Sequence, residues 1–222
     1  VDLATMKPLI AKYLGSLPSI NRKETFKDNH MDIRKGQIKN VFAKAQETPM
    51  ATIMFLYSGS CKYDLRNNVL LSFLDQALDL VYTAEIREKE GGTYGVSCNG
   101  SLSKYPTEKG AFQVYFDTDP NRREEMVKLI NEGIQEFIEK GPVSEDLSKV
   151  KEYMLKTYKQ NQKENGYWMN ILNTYYWENL DMNTGYEEAV NAISGDDLKA
   201  FAKTFFGQKN EVEVSMSSPV QK

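Results

Sequence analysis

The sequence predicts an α+β fold, a mostly antiparallel sheet packed against several helices. Apolar residues recur at helical spacing in long segments, among them Val69, Leu70, Phe73, Leu74, Ala77, Leu78 and Val81. Extended runs stand between these segments. Met50 to Tyr57 is almost continuously apolar, and A-F-Q-V-Y-F at 111–116 alternates in part. In chain order the elements read roughly α-β-β-α-β-β-α-α-α-α-β, with no internal repeat and no low-complexity tract.

Asp2 is placed to cap a first helix in which Leu3, Met6, Leu9, Ile10, Tyr13 and Leu14 share a face and Gly15 is the stop. Pro8 lies inside that pattern and leaves room for a later start. A polar connection follows at 16–31, so residues 1–31 are expected as an entering helix and linker and 32–222 as a single α+β domain. Residues 32–45 give a polar-rich strand, and Met50 to Tyr57 a central strand covered on both faces. Asp64 opens the long helix, which continues as a charged segment from Thr83 to Glu90 and ends at Gly91. Thr93–Tyr105 and Gly110–Thr118 pair as a hairpin-like unit. Asp119-Pro120 is a cap followed by a first-turn proline, with Gly141-Pro142 as the stop of that helix. A further helix begins at Ser144 and is interrupted at Asn165-Gly166. It resumes as the aromatic-rich Tyr167–Asn179, a composition that suits a core or a domain-packing surface. Two short helices, 186–193 and 196–206, precede a final alternating strand at 211–216.

With 222 residues the chain can bury a substantial core. A net charge of -3, with acids and bases interspersed, argues against a nucleic-acid partner. No apolar run is long enough to span a bilayer; the longest, 69–81, is broken by Asp75, Gln76 and Asp79. Cys61 and Cys98 are far apart in sequence, and spacing alone leaves open whether they pair.

The stretch Ile86–Gly95, I-R-E-K-E-G-G-T-Y-G, joins the long helix to the following strand. It sets a guanidinium, Arg87, and a phenol, Tyr94, on either side of Gly91-Gly92. Brought together, those groups can bind a developing oxyanion or a peptide carbonyl. The plainer reading is a charged helix end, a glycine stop and a strand that begins near a tyrosine.

Nothing else completes an active site. His30 is the only histidine, in a polar loop where a solvated surface role is expected, so neither H-E-x-x-H nor H-x-x-E-H exists. Neither cysteine has a C-x-x-C partner, so no metal site is expected on this chain. The phosphate-cradling glycine motifs and the G-x-S-x-G elbow are absent as well.

Taken in order, three blocks resemble the C-terminal type of domain in the pitrilysin/insulinase family of zinc peptidases, which includes mitochondrial processing peptidase. They are L-I-A-K-Y-L-G-S-L-P-S at 9–19, I-R-E-K-E-G-G-T-Y-G-V at 86–96, and the segment from Tyr115 to Lys151 with its G-P-V-S-E-D-L run at 141–147. The middle block keeps the family's arginine and tyrosine seven residues apart. The resemblance implies homologous α+β domains in two halves that close on a peptide substrate, with zinc and the glutamate base on N-terminal domains outside this chain. It further implies that Tyr94 donates to the tetrahedral oxyanion, and that Arg87 holds a substrate carbonyl or orients the tyrosine. Gly91 and Gly92 would allow the backbone to approach the peptide. This chain alone is then expected to be inactive, resembling the last quarter of a four-domain peptidase or the rear half of a two-domain one. The alternative is a non-catalytic structural or assembly domain of a homologue that has lost its zinc site. A weaker third reading is a binding module whose 167–177 stretch faces a ligand. Any leader would lie upstream, so periplasmic or secreted placement stays an open expectation.

Overall fold

The computed structural model describes residues 2–22, 24–84 and 93–219, the side chains of Thr93 and Tyr94 excepted. Its elements are α1 (Leu3–Tyr13), β1 (Gln37–Ala43), β2 (Ala51–Ser60), α2 (Leu65–Tyr82), β3 (Thr93–Ser103) and β4 (Lys109–Thr118). They continue with α3 (Arg123–Lys140), α4 (Ser144–Asn161), α5 (Asn165–Glu178), α6 (Tyr186–Ala192), α7 (Gly195–Phe206) and β5 (Glu211–Ser217). A single turn of tighter helix at Pro120–Arg122 leads into α3.

The expected α+β class holds: five strands form one sheet in the order β1-β5-β2-β4-β3. Every neighbouring pair is antiparallel except β1–β5, where the last strand inserts beside the first. One sheet face carries Ile53, Phe55, Phe112, Val114, Phe116 and Val96, all buried beneath α2, α3 and α7. Burial of this apolar surface, worth about 25 cal/mol per Å², is the main force holding the layers together. β2 is central, as expected, but covered on one face only. Its Met54 and Leu56 are half-buried on the other face, where none of the described helices packs. Its apolar run therefore reflects position in the sheet rather than cover on both sides.

Helix ends follow local chemistry. Asp64 accepts the Asn67 amide at 2.9 Å and Asp119 that of Asn121 at 2.7 Å. Gly141 stops α3 at a φ of 76°, a conformation that favours glycine. α1 starts at Leu3 under an Asp2 cap and keeps Pro8 inside it, with every residue exposed. Its apolar face meets no partner among the described residues, so the helix loses one backbone bond at Pro8 without disturbing a core. Asn165 and Gly166 do not break a helix in the middle; they open α5, and the break lies at 162–164.

The aromatic stretch is not core. Trp168, Tyr176 and Trp177 are 40%, 80% and 72% exposed, and no residue of α5 is buried. Both cysteines are free. Cys98 is buried, and burial, helped by Asp79 and Asp75, pushes its thiol pKa up. His30 stands in solvent, its side chain 89% exposed, as expected. Among the described residues no helix is long and apolar enough to cross a membrane.

Candidate functional site

The α2-to-β3 junction is the candidate site. Arg87, Gly91 and Gly92 lie outside the described residues, as does the side chain of Tyr94. Their mutual geometry is therefore not part of the described structure, but the two ends of the junction are.

On the α2 side the anchor is Tyr82. Its ring is 1% exposed and its hydroxyl donates to the Ile130 carbonyl of α3 at 3.0 Å. It lies over Gly133, where an added Cβ would stand 2.6 Å from Tyr82 Cε1. The last turn of α2 is thus seated directly on the α3 backbone. On the β3 side Thr93 pairs with Thr118 and Val96 with Phe116. Three steps on β3 match two on β4, so Tyr94 and Gly95 together oppose Asp117 alone. A bulge of this kind bends the strand and re-aims the residue it carries. Asp117 is itself tied across the sheet, accepting the Thr52 hydroxyl at 2.6 Å. Tyr94 therefore enters the chain at a bulge on a strand whose neighbours are fixed.

A second feature, not expected from the sequence, lies along the outer edge of β3. Among the described residues that strand pairs with β4 alone, so alternate amides have no strand partner. The Cys98 N–H donates to Asp79 Oδ1 of α2 at 3.3 Å, and the Gly100 amide is directed at Asp75 one helical turn away. The two carboxylates cover the edge, so a peptide strand adding at 98–100 would have to displace them. The signal was the polar interruption of an apolar helix at 75, 76 and 79.

Burial is the first reason the Asp75 carboxyl is pushed up to about 6, with Asp79 adding to it and the Gly100 amide opposing it. A raised carboxyl pKa costs stability above about pH 6, and the cost disappears below the unfolded value near 4. Asp75→Asn is therefore expected to raise stability by about 1 kcal/mol at pH 7.5, partial exposure having reduced the full linkage. The gain should fade to nothing by pH 4. Urea melts of both proteins across that range check it, and a gain that grows toward acid pH would contradict the assignment.

No group of three or more His, Cys, Asp or Glu side chains able to hold a metal exists among the described residues. With a single histidine in the sequence and no such cluster among the described residues, those residues do not fit a zinc site.

Against known proteins, the sequence matches the family model described as "Peptidase M16 inactive domain" over residues 1–154. No curated protein matches it. The fold is similar to that of the periplasmic protease PqqL from Escherichia coli, with 18% identity and a TM-score of 0.78 over 99% of this chain and 24% of that one. It is similar to a peptidase M16 inactive domain from Pseudomonas fluorescens, at 17% identity and a TM-score of 0.77 over 100% of this chain and 53% of that one. A protease from Helicobacter pylori gives 16% identity and a TM-score of 0.80 over 98% and 53% of the respective chains. The chain thus spans about a quarter to a half of each of these three structures. Likeness at these identities speaks to the fold, whereas the family match covers well over half of the sequence. The chain belongs to the peptidase M16 family, the pitrilysin/insulinase type of zinc peptidase, as its inactive domain.

Proposed function

We propose that this chain is the substrate-binding, oxyanion-stabilising C-terminal domain of a zinc metalloendopeptidase, inactive by itself. The observation that carries the reading is the arginine–tyrosine pair of the α2–β3 junction in a chain that matches the inactive-domain model. The bulged entry of β3, held by Thr118 and Asp117, supports a site built for one aimed side chain. In this role the Tyr94 hydroxyl donates to the oxygen that gains charge as a peptide carbonyl is attacked. Arg87 holds a neighbouring substrate carbonyl or orients the phenol. Metal chemistry belongs to N-terminal domains of the parent polypeptide or a partner subunit, since these residues do not fit zinc.

In the complete parent protein, Tyr94→Phe is expected to cut peptide hydrolysis at least tenfold, toward about 10²-fold, with zinc content unchanged. Wild-type turnover by that variant would sink the proposal. The inactive-domain match is equally compatible with a second reading, a structural or assembly domain of a homologue that has lost its zinc site. A parent that lacks H-x-x-E-H and hydrolyses no peptide would establish it.

A further inference from the structure

Between α2, α4 and α5 lies a cavity of about 330 Å³. That is the lower end of the roughly 300–1,000 Å³ typical of small-ligand sites. It is sized for one side chain rather than for an extended peptide.

Its aromatic walls come from Tyr158 of α4, Tyr167 of α5 and Tyr186 of α6. Tyr158 and Tyr186 stack with ring centroids 4.5 Å apart and planes 19° apart. Tyr167 stands across Tyr158 at 79°, so two ring walls meet near a right angle. The hydroxyls of Tyr158 and Tyr167 both donate to Asn183 Oδ1, at 3.1 and 2.7 Å. With those hydroxyls engaged, the two residues offer the cavity ring surface. Asp75 of α2 is the one formally charged side chain on the lining, and no lysine or arginine among the described residues pairs with it. Electron-rich rings and a single carboxylate on one lining that carries no lysine or arginine complement a positive charge.

We propose that this cavity binds the cationic side chain of an arginine or lysine in a peptide, the charge seated between the tyrosine rings and the Asp75 carboxylate. The raised pKa of Asp75, set first by burial and increased by Asp79, agrees with a carboxylate whose charge gains a cationic partner when the ligand enters. The proposal deepens the peptide-binding reading and rests on it only for the ligand being a peptide. Nothing in it depends on Arg87 or Tyr94.

Binding is read without hydrolysis, so its failure and the failure of the oxyanion role are separable. The protein is titrated by calorimetry with acetyl-Ala-Arg-Ala-amide and with the citrulline counterpart, which keeps the shape and removes the charge. The arginine probe is expected to bind roughly tenfold tighter than the citrulline probe. Asp75→Asn, a near-isosteric change, should erase that preference and leave the citrulline affinity in place. Tyr167→Leu should weaken the arginine probe about threefold to tenfold. Circular dichroism confirms that each variant is folded before it is scored. Equal affinity for the two probes, no binding of either, or a preference that survives Asp75→Asn overturns the proposal.

Discussion

Tyr82→Ala is expected to lower stability by about 3–5 kcal/mol, the usual cost of emptying a fully buried aromatic site. Tyr82→Phe keeps the ring and should cost only about 1 kcal/mol, the net worth of one buried hydrogen bond. Gly133→Ala places a methyl carbon 2.6 Å from Tyr82 Cε1, inside any possible contact distance. The ring is enclosed and has nowhere to move, so overpacking costs about 1–3 kcal/mol, more than alanine's helix preference of about 0.5–1 kcal/mol restores. The two changes should couple. In the Tyr82→Ala background the space vacated by the ring accepts the new methyl, and Gly133→Ala becomes neutral or stabilising. Urea denaturation midpoints of the four proteins measure this directly. Equal penalties for Gly133→Ala in both backgrounds would show that the α2–α3 contact is not the tight seat described. Tyr82 is the last buried residue of α2 before the junction, so the contact seats the helix end from which the junction departs.

Much of this architecture is legible in the sequence because it is fixed locally. Asp64 and Asp119 act on amides two or three residues away, and Gly141 permits a backbone turn at its own position. Helical spacing alone places Phe73, Leu74, Leu78, Met126 and Ile130 in the core. What escapes is set by distant parts of the chain. That β5 would insert between β1 and β2 depends on a parallel pairing across some 170 residues, which no local pattern announces. The Ser194–Asp197 capping box, a local Ser-x-x-Asp signal, starts α7 at Gly195, one residue before the expected 196. The aromatic face of α5 has core-like composition, yet none of its residues is buried among the described residues, so composition could not decide its placement. The candidate site divides the same way. The spacing of Arg87 and Tyr94 is a property of the sequence, while the bulge at Tyr94–Gly95 and the carboxylates over the β3 edge depend on packing.

On the proposed roles, the two halves of the junction are expected to fail in different kinetic terms when replaced in the complete parent protein. A donor to an oxygen that becomes charged only during reaction contributes most at the transition state, so Tyr94→Phe should fall mainly on kcat, by about 10²-fold. A guanidinium that holds a substrate carbonyl contributes before and during reaction alike. Arg87→Ala should then raise KM about tenfold and change kcat little. If instead Arg87 acts only by orienting the phenol, its loss should copy the Tyr94 effect, and the double variant should be no worse than Tyr94→Phe alone. Additive losses, split between KM and kcat, identify two separate contacts; non-additive losses in kcat identify one coupled unit. Zinc content measured alongside separates either outcome from damage to the metal site. Single variants that both hydrolyse peptide at the wild-type rate would remove the pair from catalysis and leave the assembly role as the reading of this domain.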